Sequence, residues 1–317
     1  MASNTAQVPE GNDNDEILHN HGIVRVYKSG RVERPLAAPP VAPGVDAATG
    51  VESKDVNLGH YSVRLYFPPA AATKLPIIVY VHGGGFVAES AASLGCHRFL
   101  NTLASACPAL GVSVDYRLAP EHPLPAAYDD CLAALKWTLS LGGADPWLAA
   151  HGDLGRVFLA GDSAGANACH HLAVHPDLLA LTPPPIKGAV LIHPWFWGAE
   201  AVGGEPRHPA ARAAGARLWM FACPGSGIDD PRMNPTAPGA PALDTMACER
   251  VLVCAAEHDF LRWRARAYAE AVAAARGGDG VEVMETEGEG HVFYVFKPEC
   301  DKAREMVDRI VAFVNAP

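Results

Sequence analysis

From residue 75 onward the chain alternates between short apolar runs and longer segments with helical periodicity, which limits the folds it can adopt. The first run, Leu75–Val81, is apolar and mostly β-branched, which is typical of a strand buried on both faces. Strand-like runs follow at residues 112–116, 156–160, 188–193, 250–255 and 281–285, separated by helical patterns. Strands joined through helices form a mostly parallel sheet with helices on both faces, because the crossovers are right-handed. The sequence therefore predicts one α/β core.

Two segments fall outside this alternation. Residues 1–45 combine a polar start, a hairpin pattern at 23–33 and a linker that holds four prolines between 35 and 44. This segment is too short to form a core, so we expect it to pack as a cap segment, with residues 1–14 disordered. Residues 46–317 form the predicted core, interrupted at 195–247 by a stretch rich in glycine, proline and alanine. We interpret that stretch as an insertion that contributes to the cap or the pocket.

The composition excludes several classes of protein. A net charge of −10 argues against a nucleic-acid or anionic-membrane partner, since either requires a basic face. The apolar runs are far shorter than the roughly 20 residues that span a bilayer, and residues 1–16 lack a secretory pattern. Eight cysteines without a CxxC pair are expected to be free thiols. These features predict a cytoplasmic protein, with access to the nucleus left open.

A metal site receives little support from the sequence. His171 and His175 have the i, i+4 spacing of a helical metal pair, but no HExxH pattern and no obvious third ligand accompany them. We therefore predict neither a metal nor an organic cofactor.

The motif GDSAG at residues 161–165 lies between a strand pattern and a helix pattern. A nucleophile on a sharp strand-to-helix turn needs small residues two positions to either side, because larger side chains would collide with the neighbouring strand and helix. The turn also places Ser163 at a helix N-terminus, where developing negative charge is stabilised. The motif predicts that Ser163 is a nucleophile.

A second glycine-rich motif, HGGGF at residues 82–86, directly follows the buried strand. Its glycines leave backbone N–H groups unobstructed, and such donors stabilise a tetrahedral oxyanion. No phosphate-binding fingerprint accompanies the motif. HGGG about 80 residues ahead of GxSxG indicates the two halves of one acyl-transfer site.

A serine nucleophile requires a base and a carboxylate that orients the base. The strand pattern at 250–255 is followed by Glu257 and Asp259, and the one at 281–285 is followed by His291 in a glycine-rich turn. This order, acid before histidine, is the one that such folds use. Asp259 is the favoured acid from position, and Glu257 stays open as an alternative.

These motifs, with DYRLAPE at 115–121, DPRMNP at 230–235 and GHVF at 290–293, resemble the plant carboxylesterases of the hormone-sensitive-lipase-like group. The resemblance runs from about residue 15 to the C-terminus and implies an α/β-hydrolase fold. It implies Ser163 as nucleophile, Asp259 as acid and His291 as base. It also implies that the oxyanion donors are the N–H groups of Gly83, Gly84 and Ala164.

The aromatic residues Trp195 and Trp197 follow the strand pattern at 188–193, at the end where ligands of open α/β sheets bind. Together with Phe86 they are candidates for the substrate pocket, and core packing is the alternative.

The leading hypothesis is a serine carboxylesterase that acts on small-molecule esters through an acyl-enzyme, as a monomer or weak homodimer. Two alternatives follow from the same resemblance: a receptor of the gibberellin-receptor type, and a lyase similar to the isoflavanone dehydratases. The receptor group has lost the histidine that is retained here as His291.

Overall fold

The computed structural model describes residues 15–69 and 74–316. It divides into a small unit that ends at Ala37 and a large unit that begins at Ala38. The small unit holds a three-stranded antiparallel sheet of β1 (Ile17–Asn20), β2 (Arg25–Tyr27) and β3 (Val32–Glu33). The hairpin of β2 and β3 was predicted, whereas β1 was not. The disorder expected for residues 1–14 lies outside the described residues, and the cap role of residues 1–45 stays a prediction.

The large unit is built around an eight-stranded sheet. Its strands in chain order are β4 (Glu52–Asn57), β5 (Ser62–Phe67), β6 (Leu75–Val81), β7 (Leu110–Asp115), β8 (Gly152–Asp162), β9 (Ile186–Ile192), β10 (Cys248–Ala256) and β11 (Val281–Thr286). Across the sheet the order is β11-β10-β9-β8-β6-β7-β5-β4. Among the described strands of this sheet, only the pairs β4–β5 and β5–β7 are antiparallel, so the predicted mostly parallel sheet is confirmed.

Helices follow most strands of the large unit. They are α1 (Leu94–Ala106), α2 (Ala126–Leu139), α3 (Leu141–Ala144), α4 (Pro146–His151), α5 (Ala164–Ala173), α6 (Pro176–Leu179), α7 (Pro209–Ala222), α8 (Arg262–Ala275), α9 (Phe293–Phe296) and α10 (Asp301–Asn315). Within the part of the chain that the structure describes, no helix has the length and apolar character to cross a membrane.

The core lies between the sheet and its helices. Helices α1 and α10 share one hydrophobic cluster with alternate residues of the central strands, while α5 packs on β8 and β9 and α8 on β10. All seven residues of β6 are buried, as expected for a strand covered on both faces. The carboxyl ends of β8, β10 and β11 meet at one edge of the sheet, where the loops that follow these strands come together.

Residues 195–247 carry α7 and are joined to α8 by a buried ion cluster. The Glu205 carboxylate accepts from Arg212 at 2.6 Å and from Arg264 of α8 at 2.8 Å. The Glu205 side chain is fully buried, and its carboxylate is paired with both guanidinium groups away from water. The cluster fixes the segment after β9 to the helix after β10.

Candidate active site

Ser163 occupies a sharp turn between β8 and α5. Its φ of 52° lies in the left-handed region, which only a tightly constrained turn imposes on a serine. A Cβ on Gly165 would lie 1.9 Å from the Val81 carbonyl oxygen, and one on Gly161 would lie 2.7 Å from the same atom. Both glycines are therefore required by close backbone packing against β6, for the steric reason predicted from the motif.

His291 and Asp259 form a hydrogen-bonded chain with Ser163. The Nε2 atom of His291 lies 3.0 Å from Ser163 Oγ, and its Nδ1 atom lies 2.7 Å from Asp259 Oδ2. The second oxygen of Asp259 accepts from the Leu261 N–H at 2.9 Å, which orients the buried carboxylate. The structure brings all three predicted residues together, in the arrangement that a nucleophile, a base and an orienting acid require.

Glu257, the alternative acid, lies in a different environment. Its carboxylate accepts from the Gly288 N–H at 2.8 Å, and this hydrogen bond lowers the pKa of Glu257. Among the described residues it has no hydrogen bond to His291. The geometry therefore favours Asp259 over Glu257 as the partner of the imidazole.

One of the predicted oxyanion donors in the HGGG turn, the Gly83 N–H, is already used within the protein. The Gly83 N–H donates to Asp162 Oδ1 at 3.0 Å, so the prediction that Gly83 supplies a donor to the substrate does not fit the structure. Within residues 15–69 and 74–316, the N–H groups of Gly84, Gly85 and Ala164 have no acceptor. Gly85 was not among the predicted donors, because the three glycines of the motif are equivalent as a pattern.

Asp162 connects the HGGG turn to the serine turn. It accepts from the Tyr80 hydroxyl at 2.6 Å as well as from Gly83, and burial raises the pKa of this carboxyl. A Cβ on Gly83 would lie 2.4 Å from Asp162 Oδ2. The residue before the nucleophile thus determines where the HGGG backbone runs.

The predicted pocket aromatics are packed into the protein. Phe86, Trp195 and Trp197 are at most 5% exposed, and Trp195 lies against Phe86 and Trp219. Their packing agrees with the alternative of core residues, and a pocket role stays a prediction. Phe260 is an exposed aromatic residue beside His291: it is 56% exposed, and its ring centroid lies 6.2 Å from that of His291. The sequence signal for Phe260 was its position directly after Asp259.

Comparison with known proteins identifies the family of the chain. A family model described as the α/β-hydrolase fold matches residues 78–295, more than half of the chain. The chain therefore belongs to the α/β-hydrolase family. Within that family it falls in the group of plant carboxylesterases: Probable carboxylesterase 2 of Arabidopsis thaliana is 41% identical over 92% of this chain and 93% of the relative.

Other relatives have different printed activities. Tuliposide A-converting enzyme 2 of Tulipa gesneriana is 41% identical over 97% of this chain and 81% of its own length. A 2-hydroxyisoflavanone dehydratase of Glycyrrhiza echinata is 42% identical over 92% of this chain and 94% of its own length. Among solved structures, the thermostable carboxylesterase EstE1 from a metagenomic library matches with a TM-score of 0.68 and 28% identity, covering 83% of this chain and 88% of that one.

The predicted location is wrong. The tulip enzyme and two further tulip relatives are labelled chloroplastic or amyloplastic, which points to the plastid rather than the cytoplasm. The cytoplasmic prediction relied on the net charge, the short apolar runs, the lack of a secretory pattern and the cysteines, and these features do not distinguish the two compartments.

Proposed function

We propose that this protein hydrolyses small carboxylic esters through an acyl-enzyme on Ser163, with His291 as general base and Asp259 as the acid that orients it. The observation that carries the proposal is the continuous chain from Ser163 Oγ through the His291 ring to Asp259, with distances of 3.0 and 2.7 Å. Ester hydrolysis is also the activity in the printed names of the Arabidopsis relative and the metagenomic structure.

In the acylation step, Ser163 Oγ attacks the ester carbonyl carbon while His291 Nε2 takes the hydroxyl proton. The carbonyl π electrons move to its oxygen, which accepts hydrogen bonds from the N–H groups of Gly84, Gly85 and Ala164. Asp259 stabilises the imidazolium through Nδ1. When the tetrahedral intermediate collapses, the C–O bond to the alcohol breaks and His291 returns the proton to the leaving oxygen.

In the deacylation step, a water molecule repeats the attack on the acyl-enzyme. His291 takes a proton from the water, and the same three N–H groups stabilise the second oxyanion. Collapse releases the carboxylic acid and returns the proton to Ser163 Oγ. The α5 N-terminus directly after Ser163 adds a positive electrostatic potential to both steps.

Two alternative functions differ in their support. A purely binding role of the receptor type is disfavoured, because His291 is present and lies within hydrogen-bond distance of Ser163. A lyase activity has a specific observation in its favour, the 42% identity with a 2-hydroxyisoflavanone dehydratase. An elimination would use the base and the oxyanion donors without forming a bond to Ser163 Oγ, which separates the two reactions experimentally.

The test is covalent labelling together with turnover. A fluorophosphonate should add one adduct at Ser163, detected by intact mass and peptide mapping, and Ser163→Ala should abolish both the adduct and the hydrolysis of p-nitrophenyl acetate. Folded wild-type protein that takes up no adduct would contradict the acyl-enzyme. Retention of p-nitrophenyl acetate hydrolysis in Ser163→Ala would point to another nucleophile, whereas dehydration of a 2-hydroxyisoflavanone by that variant would favour the lyase.

A further inference from the structure

We propose that His193, a buried histidine beside His291, is a positioning residue that holds the His291 loop in the geometry for proton transfer, an inference that rests on the role proposed above for His291. His193 follows β9 directly and is 1% exposed. Its ring centroid lies 5.8 Å from that of His291, and one of its ring nitrogens lies within 4.8 Å of a ring nitrogen of His291 and a carboxylate oxygen of Asp259.

The contact that matters is between the His193 ring and the backbone beside His291. His193 Nδ1 accepts a hydrogen bond from the Val292 N–H at 2.9 Å. Val292 has a φ of 46°, in the left-handed region that a β-branched residue rarely adopts. A conformation of this kind persists only where surrounding contacts enforce it, and the His193 hydrogen bond is such a contact.

His193 is itself fixed in place by the sheet. Its own φ is 48°, and its backbone N–H donates to the Cys254 carbonyl of β10 at 2.8 Å. The His193 ring therefore holds the loop after β11, on which His291 lies, at a fixed position relative to β9 and β10. His291 has to meet Ser163 after β8 and Asp259 after β10, and β9 pairs with both of these strands. A contact with the residue that follows β9 therefore positions the loop relative to both partners.

The protonation state suits this role. Burial lowers the pKa of His193 to about 3, and the nearby His291 acts in the same direction. The ring is therefore neutral near pH 7, which leaves Nδ1 as an acceptor and places the proton on Nε2. The titratable groups around it are His291, Asp259 and Tyr294, and a neutral ring adds no charge repulsion when His291 becomes an imidazolium.

An apolar residue at position 193 would avoid burying a polar atom without a hydrogen-bond partner. His193 Nε2 is buried and has no hydrogen-bond partner within the described ranges, and an unsatisfied buried donor is destabilising. The acceptor at Nδ1 explains why a histidine is used despite that cost. Without an acceptor, the Val292 N–H would lose its partner and the loop would relax away from Ser163.

The experiment compares His193→Asn with His193→Leu. Asparagine and leucine have the same branching, but only asparagine offers an oxygen near the place of Nδ1. We expect the kcat of His193→Leu for p-nitrophenyl acetate to fall by about 10- to 100-fold, with KM within about two-fold of wild type, since a displacement of about 1 Å in a catalytic group costs about that much. His193→Asn should keep kcat within about three-fold of wild type.

Folding is checked by circular dichroism and thermal unfolding, and the rate of fluorophosphonate labelling at Ser163 should follow kcat. Equal kcat values for folded His193→Leu and wild type would overturn the proposal, as would equal losses in both variants. Should His193→Leu not fold, a loss of kcat beyond about three-fold in folded His193→Asn would also overturn it. Ser163→Ala is the parallel control: if it retains activity, the proposed function fails, whereas an inactive Ser163→Ala with an unaffected His193→Leu excludes the positioning role alone.

Discussion

The Gly83 N–H donates to Asp162 Oδ1 at 3.0 Å, and the two residues are 79 positions apart in the chain. This hydrogen bond joins the turn after β6 to the turn after β8. It occupies the N–H of the first glycine of the HGGG motif, whereas those of Gly84 and Gly85 have no acceptor among the described residues. The three N–H groups proposed to bind the oxyanion thus depend on a buried carboxylate that has no place in the proton transfer.

We expect Gly83→Ala to impair both stability and activity. The new Cβ would lie 2.4 Å from Asp162 Oδ2 and 3.1 Å from the Asp162 backbone oxygen, so one of the two turns has to move. Overpacking of this kind costs about 1–3 kcal/mol of unfolding free energy. Urea denaturation and p-nitrophenyl acetate turnover measure the two effects.

The matched control is Gly227→Ala, because a Cβ at Gly227 has no neighbour within 4 Å and its φ is not positive. That variant should resemble wild type in both measurements. A Gly83→Ala protein with wild-type stability and kcat/KM would show that the contact with Asp162 is dispensable.

Asp259→Asn should lower kcat far more than Glu257→Gln. The uncharged amide would be a poorer partner for the His291 imidazolium and can hold the ring in the wrong tautomer, and the same Asp→Asn substitution in a comparable triad costs about 10⁴-fold. Glu257 accepts from the Gly288 N–H and is not hydrogen-bonded to His291 among the described residues, so its amide variant should lose less than about ten-fold. The kcat values of both purified variants are measured by steady-state kinetics. A larger loss of kcat in Glu257→Gln than in Asp259→Asn would reassign the acid to Glu257.

Phe260→Ala should change the preference for the alcohol part of the ester. The leaving oxygen receives its proton from His291, so the alcohol has to lie beside that ring, and the exposed Phe260 ring lies 6.2 Å from it. Loss of an aromatic contact of this kind costs roughly 1 kcal/mol, a factor of about five in kcat/KM. We therefore expect phenyl acetate to lose more than ethyl acetate. Phe296→Ala, which removes a 77% exposed ring, is the control and should leave the ratio unchanged. Equal losses for both esters would exclude Phe260 from the alcohol site.

His170 should make the protein less stable in mild acid. Burial lowers the pKa of His170 to about 3 from an ordinary value of 6.5. Below pH 6.5 the unfolded chain binds a proton that the folded chain does not, so this contribution is complete above pH 6.5 and is lost as the pH falls toward 3. At pH 5.5 the loss is about 1.4 kcal/mol of unfolding free energy.

The measurement is urea denaturation at pH 7.5 and 5.5. His170→Asn, whose side-chain oxygen can replace Nδ1 as the partner of Tyr268, should lose less stability between the two pH values than wild type by about that amount. His122→Asn changes an exposed histidine and should show the wild-type difference. An identical pH dependence in His170→Asn and wild type would assign the acid sensitivity to other groups.

The alternation of the main strands and helices of the core, and the serine turn, could be predicted from the sequence, whereas β1 and the short helices α3, α4, α6 and α9 were not. A strand buried on both faces needs a continuous apolar run, and Leu75–Val81 has one. The turn around Ser163 needs glycine at 161 and 165, because backbone atoms of β6 leave no room for a Cβ. These requirements act on neighbouring positions of the chain, so they appear as local patterns. The chain order of Asp259 and His291 follows in the same way from the order of the strands.

Only the tertiary structure decided which atoms face each other. Glu257 and Asp259 are two residues apart after β10. Glu257 contacts Gly288 and Asp259 contacts His291, and both partners lie after β11, about 30 residues further along the chain. The hydrogen bond from the Gly83 N–H to Asp162 joins segments 79 residues apart. The hydrogen bond from the Val292 N–H to His193 joins segments 99 residues apart. Hydrogen bonds depend on distances of a few tenths of an ångström, and a pattern of residue types does not contain such distances. The sequence therefore determines the fold and the types of the reacting groups, whereas the packing of distant strands determines their partners.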